Sequence, residues 1–295
     1  MDEPDGLAAV MSERRQLLNL AYRLLGSLAD AEDAVQETYA RWYAMPRERQ
    51  DEVASVGAWL TTVASRICLD QLGSARARRE RYVGEWIPEP VPGQWSQGRV
   101  PDDPADRVTL DETVSMAFLV VLDAMTPAER VVFVLHDVFR YPFAEVAGIV
   151  GRSTEACRQL ASSARRRIRD SRPPAAAPAR ADLVRDFKLA WEARDIAALV
   201  DLLDPNAAMT ADGGGLVGAA LHPVEGAEAI ARYMLDLARY APGLEILERI
   251  VNGQPGLVAQ RDGAVAAVAA FDTAADRVTR IWVVRNPDKL RHWAA

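Results

Sequence analysis

Apolar residues recur at helical spacing along the front of the chain: Leu17, Leu18, Ala21, Leu24 and Leu25 trace one face before Gly26 interrupts it. A second stripe, Ala31, Ala34, Val35, Thr38, Tyr39 and Trp42, begins beside Asp30, Glu32 and Asp33, acids that favour a helix N-terminus. A third, Val56, Trp59, Leu60, Val63, Ala64, Ile67 and Cys68, follows Ser55, a residue suited to cap it. The spacing predicts three helices over about residues 12–80, packed as a bundle. Residues 82–107 keep no period and hold five prolines and three glycines, which predicts a linker. Its Trp86, Ile87 and Trp95 gain by docking on a surface rather than facing water.

The pattern turns helical again from 108. Thr126, Pro127 and Glu129 spell a capping box for a helix running to about Phe139. A short helix over 144–150, the turn Gly151, Arg152 and Ser153, and a helix over 154–169 follow the grammar of a helix-turn-helix. Residues 171–181, SRPPAAAPARA, read as a second linker. Beyond them the pattern becomes α+β, with helices at 182–203 and 226–240 and strands at 244–251, 255–261, 263–272 and 276–285.

Composition narrows the class. With 295 residues the chain has room for two or three domains, and no apolar run is long enough to cross a bilayer, so a cytoplasmic location is expected. Cys68 and Cys157 are far apart and each lies in an apolar stripe, which predicts buried thiols; no metal site and no cofactor are expected. The net charge of −7 argues against a nucleic-acid partner on average, yet basic residues cluster. Arg76, Arg78, Arg79 and Arg81 form one group, and Arg152, Arg158, Arg165, Arg166, Arg167, Arg169 and Arg172 another.

Each cluster admits two readings. The side of the second helix with Asp33, Gln36, Glu37 and Arg41 either meets water or docks on a basic partner. Trp59 and the polar Thr61, Thr62, Ser65 and Arg66 precede the first basic group, an order suited to holding unpaired bases and tracking a strand backbone. The helix-turn-helix is either a packed hairpin or a duplex reader; the outward positions of its last helix, Arg158, Gln159, Ser162, Arg165 and Arg166 among them, suit a major groove and its flanking phosphates. Near the C-terminus, Asp212 with Gly213, Gly214 and Gly215 could cradle a phosphate, though the Walker spacing is missing. Asp212, His222 and Asp272 could serve as acid and base groups, but nothing in the sequence brings them together.

Three segments, DAEDAVQETYARWY at 30–43, WLTTVASRICLDQL at 59–72 and the whole of 128–169, resemble the two DNA-binding domains of extracytoplasmic-function RNA polymerase sigma factors. WIPEP at 86–90, DGGG at 212–215 and NPDKL at 286–290 resemble motifs of the subgroup with a fused SnoaL-like domain. The resemblance implies a multidomain fold: two all-α sigma domains, a helical bundle (8–81) and a helix-turn-helix (108–171), joined by the linker 82–107 and followed by a cone-shaped α+β SnoaL-like domain (182–295). It implies no catalytic activity, a chain monomeric when free, and no membrane partner.

By the same resemblance, Asp33, Gln36, Glu37 and Arg41 would dock on the β′ clamp helices of core RNA polymerase. Promoter DNA would be held at the minus-ten element by Thr62, Ser65, Arg66, Arg76, Arg78 and Arg79, with the loop 45–55. The minus-thirty-five element would be read by Ser153, Arg158, Gln159, Ser162, Arg165 and Arg166. Regulatory contacts would come from Trp86, Pro88, Asp212, Gly213, Gly214, Asn286, Pro287, Asp288 and Lys289, and the last domain would leave room for an unknown small ligand. Arg140 stands where the family frequently has glycine, so the turn there is expected to differ in shape, and Leu216 stands where the subgroup usually has lysine. Two rivals remain open: a SnoaL-type enzyme with a helical appendage, and a repressor that binds duplex DNA without polymerase.

Overall fold

The computed structural model describes residues 3–79, 82–93, 115–171, 176–177, 180–240 and 243–293. They fall into two compact units, Met1–Glu80 with Val121–Arg169, and Arg81–Val120 with Asp170–Ala295. The division passes through one helix, Met116–Asp123, labelled α5 below.

The first unit is all helical. Its front half is α1 (Glu3–Leu25), α2 (Leu28–Tyr43), α3 (Arg47–Asp51) and α4 (Val56–Arg79). The bundle therefore has four helices rather than three, because Pro46 opens a short turn of helix in what the spacing leaves as a loop. Leu28, Ala31, Ala34, Val35, Thr38 and Trp42 form the buried stripe of α2, and Ser27 caps its N-terminus by accepting from the Asp30 amide at 3.2 Å. On α4 the buried stripe is Leu60, Thr61, Ala64, Ser65, Ile67, Cys68 and Leu72. Both cysteines are buried and unbridged, and burial pushes both thiols up.

The back half begins with α6 (Pro127–Phe133), which carries the expected capping box at Thr126 and Glu129 and runs on as a π-helical turn over Val134–Val138. Arg140 then turns the chain at φ 63° into α7 (Phe143–Val150), and Gly151, left-handed at φ 68°, leads to α8 (Thr154–Ser171). The helices α6 and α7 pack against α4.

In the second unit, α9 (Ala181–Glu192) and α10 (Ile196–Leu202) replace the single helix expected over 182–203. The break comes at Arg194, which adopts φ 55°, and Asp195 then caps α10 through the Ala198 amide at 3.0 Å. The rest is β1 (Ala176–Ala177), β2 (Leu203–Asp212), β3 (Val224–Glu225), α11 (Ala227–Tyr240), β4 (Glu245–Val251), β5 (Gln254–Arg261), β6 (Ala264–Ala274) and β7 (Arg277–Val284). The strands form one sheet in the order β3-β2-β7-β6-β5-β4, with β1 on β6; β2 and β7 run parallel and the other pairs antiparallel.

Strand alternation gives the sheet two apolar faces. On one, Leu257, Ala259, Phe271, Ile281 and Val283 join Phe187, Leu199, Ile230 and Met234 of the helices. On the other, Val258, Val268, Ala270, Trp282 and Val284 meet Ile87, Met116 and Leu290. The second face thus buries linker and tail residues together with the start of α5.

Candidate functional site

The acidic helix face is built as its spacing predicts. Asp33, Gln36, Glu37 and Arg41 are all exposed, opposite the buried stripe of α2. Glu37 and Arg41 pair along the helix at 2.5 Å with their side chains about half exposed, 46% and 52%, so water screens the pair and it adds little to stability. This face is solvent-facing and chemically suited to an external cation.

The face expected to hold a DNA strand is different. Thr62 returns its hydroxyl to the Ala58 carbonyl at 2.8 Å, and Trp59 leans on Trp42 with ring centroids 5.1 Å apart. Ser65 is a correction: it is fully buried, and its Oγ has no hydrogen-bond partner. Its spacing from Thr61 and Cys68 places it on the inner stripe of α4, where no strand could touch it in this arrangement. Arg66 is exposed but donates to the Gly148 carbonyl in α7 at 2.9 Å, and Tyr141 donates to Thr61 Oγ1 at 3.1 Å. The helix-turn-helix therefore holds part of this face. The side chains of Arg76, Arg78 and Arg79, and all of Trp95, lie outside the described residues.

On α8, Arg158, Gln159, Ser162 and Arg166 are exposed on the side away from Cys157, Ala161 and Ala164. Ser153 caps the helix through the Ala156 amide at 3.1 Å. Arg165 donates to Asp137 at 2.6 Å, so its guanidinium is already used within the fold. Beneath the helix, Glu129 gathers the Ser163 hydroxyl at 2.7 Å and the Thr126 amide at 3.0 Å. Burial pushes its carboxyl up, but these bonds and nearby Arg167 outweigh that and hold it below the usual range.

The three motifs WIPEP, DGGG and NPDKL meet at one buried charge. Asp212 is fully buried at the end of β2, and among the described residues its carboxylate accepts from four donors: Tyr82 Oη at 2.7 Å, the Gly214 amide at 3.0 Å, the Ile87 amide at 3.0 Å and Lys289 Nζ at 2.7 Å. Lys289 also donates to the Ile87 carbonyl at 2.5 Å and lies 4.1 Å from the Trp86 ring centroid. Asn286 donates to Tyr82 Oη at 2.8 Å and caps the 3-10 turn Pro287–Lys289 through the Asp288 amide at 3.0 Å. Burial and the bond to Asp212 push the Tyr82 hydroxyl up. We call this arrangement the linker clasp. Further along, Val91 and Asn252 exchange bonds, and Trp293 Nε1 donates to the Pro90 carbonyl at 2.8 Å.

Trp86, Pro88, Asp212, Gly213, Gly214, Asn286 and Lys289 are buried or half-buried in or beside the clasp, whereas the Pro287 and Asp288 side chains are exposed. The phosphate cradle does not form: the Gly214 amide serves the Asp212 carboxylate, and a side chain at Gly214 would collide with the Asn286 amide. Asp212, His222 and Asp272 are not among the residues that line the cavity between the sheet and its helices. The sequence reading missed Tyr82, Asn252 and Trp293. An aromatic immediately before the proline-rich run and a tryptophan next to the chain end were the available signals.

Two family models match. Sigma-70 region 2 covers residues 9–78, and Sigma-70, region 4 covers residues 115–168. The chain is 40% identical to the ECF RNA polymerase sigma factor SigJ of Mycobacterium tuberculosis, over 94% of this chain and 90% of that protein. It is 38% identical to the probable ECF RNA polymerase sigma factor SigI of the same species, over 96% of this chain and 94% of that one. The crystal structure of Mycobacterium tuberculosis SigJ superimposes with a TM-score of 0.76 at 37% identity, covering 95% of this chain and 96% of that chain.

Proposed function

This chain belongs to the extracytoplasmic-function RNA polymerase sigma factors, which are transcription initiation factors, and from that premise we propose how its parts divide the work. The parts follow the boundaries 8–81, 82–107, 108–171 and 182–295. Asp33, Gln36 and Glu37, with Arg41 beside them, meet a basic surface of core polymerase at its β′ clamp helices. Thr62, Arg66 and the basic end of α4 hold the opened minus-ten strand, and the exposed row Arg158, Gln159, Ser162 and Arg166 reads the minus-thirty-five duplex. The polymerase supplies the catalysis, and the chain works in the cytoplasm where promoter and polymerase are found.

One observation carries the reading: Asp33, Gln36, Glu37 and Arg41 of α2 are exposed, while Thr61 and Arg66 of α4 are engaged by Tyr141 and the helix-turn-helix. Polymerase can therefore dock first, and the hydrogen bonds of Thr61 and Arg66 must open before a strand is bound. Two such bonds are worth about 1 kcal/mol each, which the contacts to polymerase and DNA can offset. The α+β domain sets the yield of initiation through the linker it clasps, and a small ligand in that domain would tune the clasp.

The test is run-off transcription with purified core polymerase. Glu37→Arg reverses an exposed charge, so it lowers core binding by about tenfold or more while leaving the melting temperature unchanged. Unaltered binding in a pull-down would remove the docking assignment.

A further inference from the structure

Between the sheet and the helices α9 and α11 lies a cavity of about 120 Å³. A site holding one water needs on the order of 10–15 Å³ on the same measure, so this cavity accepts a ligand of roughly ten heavy atoms. Its walls are almost wholly apolar, with Phe187, Trp191, Leu257, Phe271 and Ile281 among them. The indole NH of Trp191 is taken by the Met234 carbonyl at 2.9 Å, so the ring presents only its apolar surface.

Besides the hydroxyl of Tyr233, two charged lining residues break the pattern, Arg261 and Arg285. Strands β5 and β7 both run antiparallel to β6 and hence in one direction; Arg261 ends β5 and Arg285 follows the end of β7, so both stand at the same end of the sheet. Alternation sets Arg261 on the face of Leu257 and Ala259, and Arg285 on the face of Ile281 and Val283. Among the described residues no carboxylate pairs with either guanidinium; Arg285 donates to the Gly218 carbonyl, and the exposed Arg261 is tied into the sheet only through its backbone, opposite Ala264. Two uncompensated guanidinium groups at one end of an apolar cavity form a site for an anionic head on an apolar body.

We infer that this cavity binds an amphipathic organic acid, its carboxylate held between Arg261 and Arg285 and its hydrocarbon or aromatic part among Trp191, Leu257, Phe271 and Ile281. The lining carries no carboxylate, histidine, serine or cysteine; its one hydroxyl is that of Tyr233, so the lining favours binding an acid over turning it over. Arg285 directly precedes Asn286 of the clasp, which places the head group at the same strand end as the linker contacts. The inference deepens the proposed tuning of the clasp, but its test needs no polymerase and stands or falls apart from that reading.

The test is calorimetric titration of the full chain with 4-phenylbutyrate, 4-phenylbutan-1-ol and 4-phenylbutylamine, which share one apolar body. One acid is expected to bind per chain, about tenfold tighter or more than the alcohol, with the amine weaker still. Arg261→Gln, an exposed change that leaves the fold alone, should lower the acid towards the alcohol, and Arg261→Gln with Arg285→Gln should erase the difference. Ala269→Trp or, where that variant melts early, Ala267→Phe should fill the cavity and abolish binding of all three. The inference is overturned if the alcohol binds as tightly as the acid, if the filled cavity leaves binding unchanged, or if no probe saturates.

Discussion

Single positions in this chain carry costs that composition hides. Arg140 adopts φ 63° in the turn before the helix-turn-helix, a region where a Cβ crowds the following carbonyl. Glycine there would relieve the strain, so Arg140→Gly is expected to raise the unfolding free energy by about 0.5–1 kcal/mol in urea denaturation. Lys289 illustrates the opposite case. Its ammonium answers a fully buried carboxylate, and Lys289→Met would strand Asp212 without its counter-charge. A loss of about 3–5 kcal/mol is expected, together with faster hydrogen exchange at the Ile87 amide, which Asp212 accepts. An unchanged Ile87 amide would mean that the clasp does not hold the linker.

At the scale of elements, local signals fared best where they concerned caps. The box at Thr126 and Glu129 was legible from residue types alone, and it is present with both of its reciprocal bonds. What the sequence could not convey is that Glu129 also ties down Ser163 on α8, thirty-four positions on, because that contact exists only after the helices pack. Since the Glu129 carboxyl is held below its unfolded value, it adds stability that is complete above about pH 4.3 and is lost as the pH falls through its lower folded value. Glu129→Gln should therefore flatten the acid side of the stability profile below about pH 4.3, read by denaturant melts at each pH. The helix expected over 182–203 failed for a related reason. Its apolar period continues through Ala193, but the left-handed Arg194 and the Asp195 cap restart it as α10, and β2 leaves from Leu203 to pair with β7.

For the molecule as a whole, the decisive arrangement is that Ile87 of the linker and Leu290 of the C-terminal tail, with Met116 of α5, cover one face of the sheet. Trp282, Val268 and Ala270 would otherwise expose a contiguous apolar surface. A linker docked there is a structural layer as well as a connection, and releasing it costs burial besides the ion pair. Hence Lys289→Met is expected to change run-off transcript yield several-fold without moving the start site, since the promoter-reading residues lie elsewhere. A shifted start site would show that the clasp takes part in recognition.

Sequence alone determined the helical and strand periods, the caps, the isolation of the cysteines and the residue types that suit acidic docking and DNA binding, because these depend on neighbours a few positions apart. Only the tertiary structure decided that Ser65 faces inward, that Arg165 and Arg66 already have partners, and that WIPEP, DGGG and NPDKL converge on Asp212. Those outcomes join residues 28 to 202 positions apart. The physical reason is that a buried charge must gather every donor it needs from whatever chain the packing brings within about 3 Å, and periodicity along a sequence holds no record of that distance.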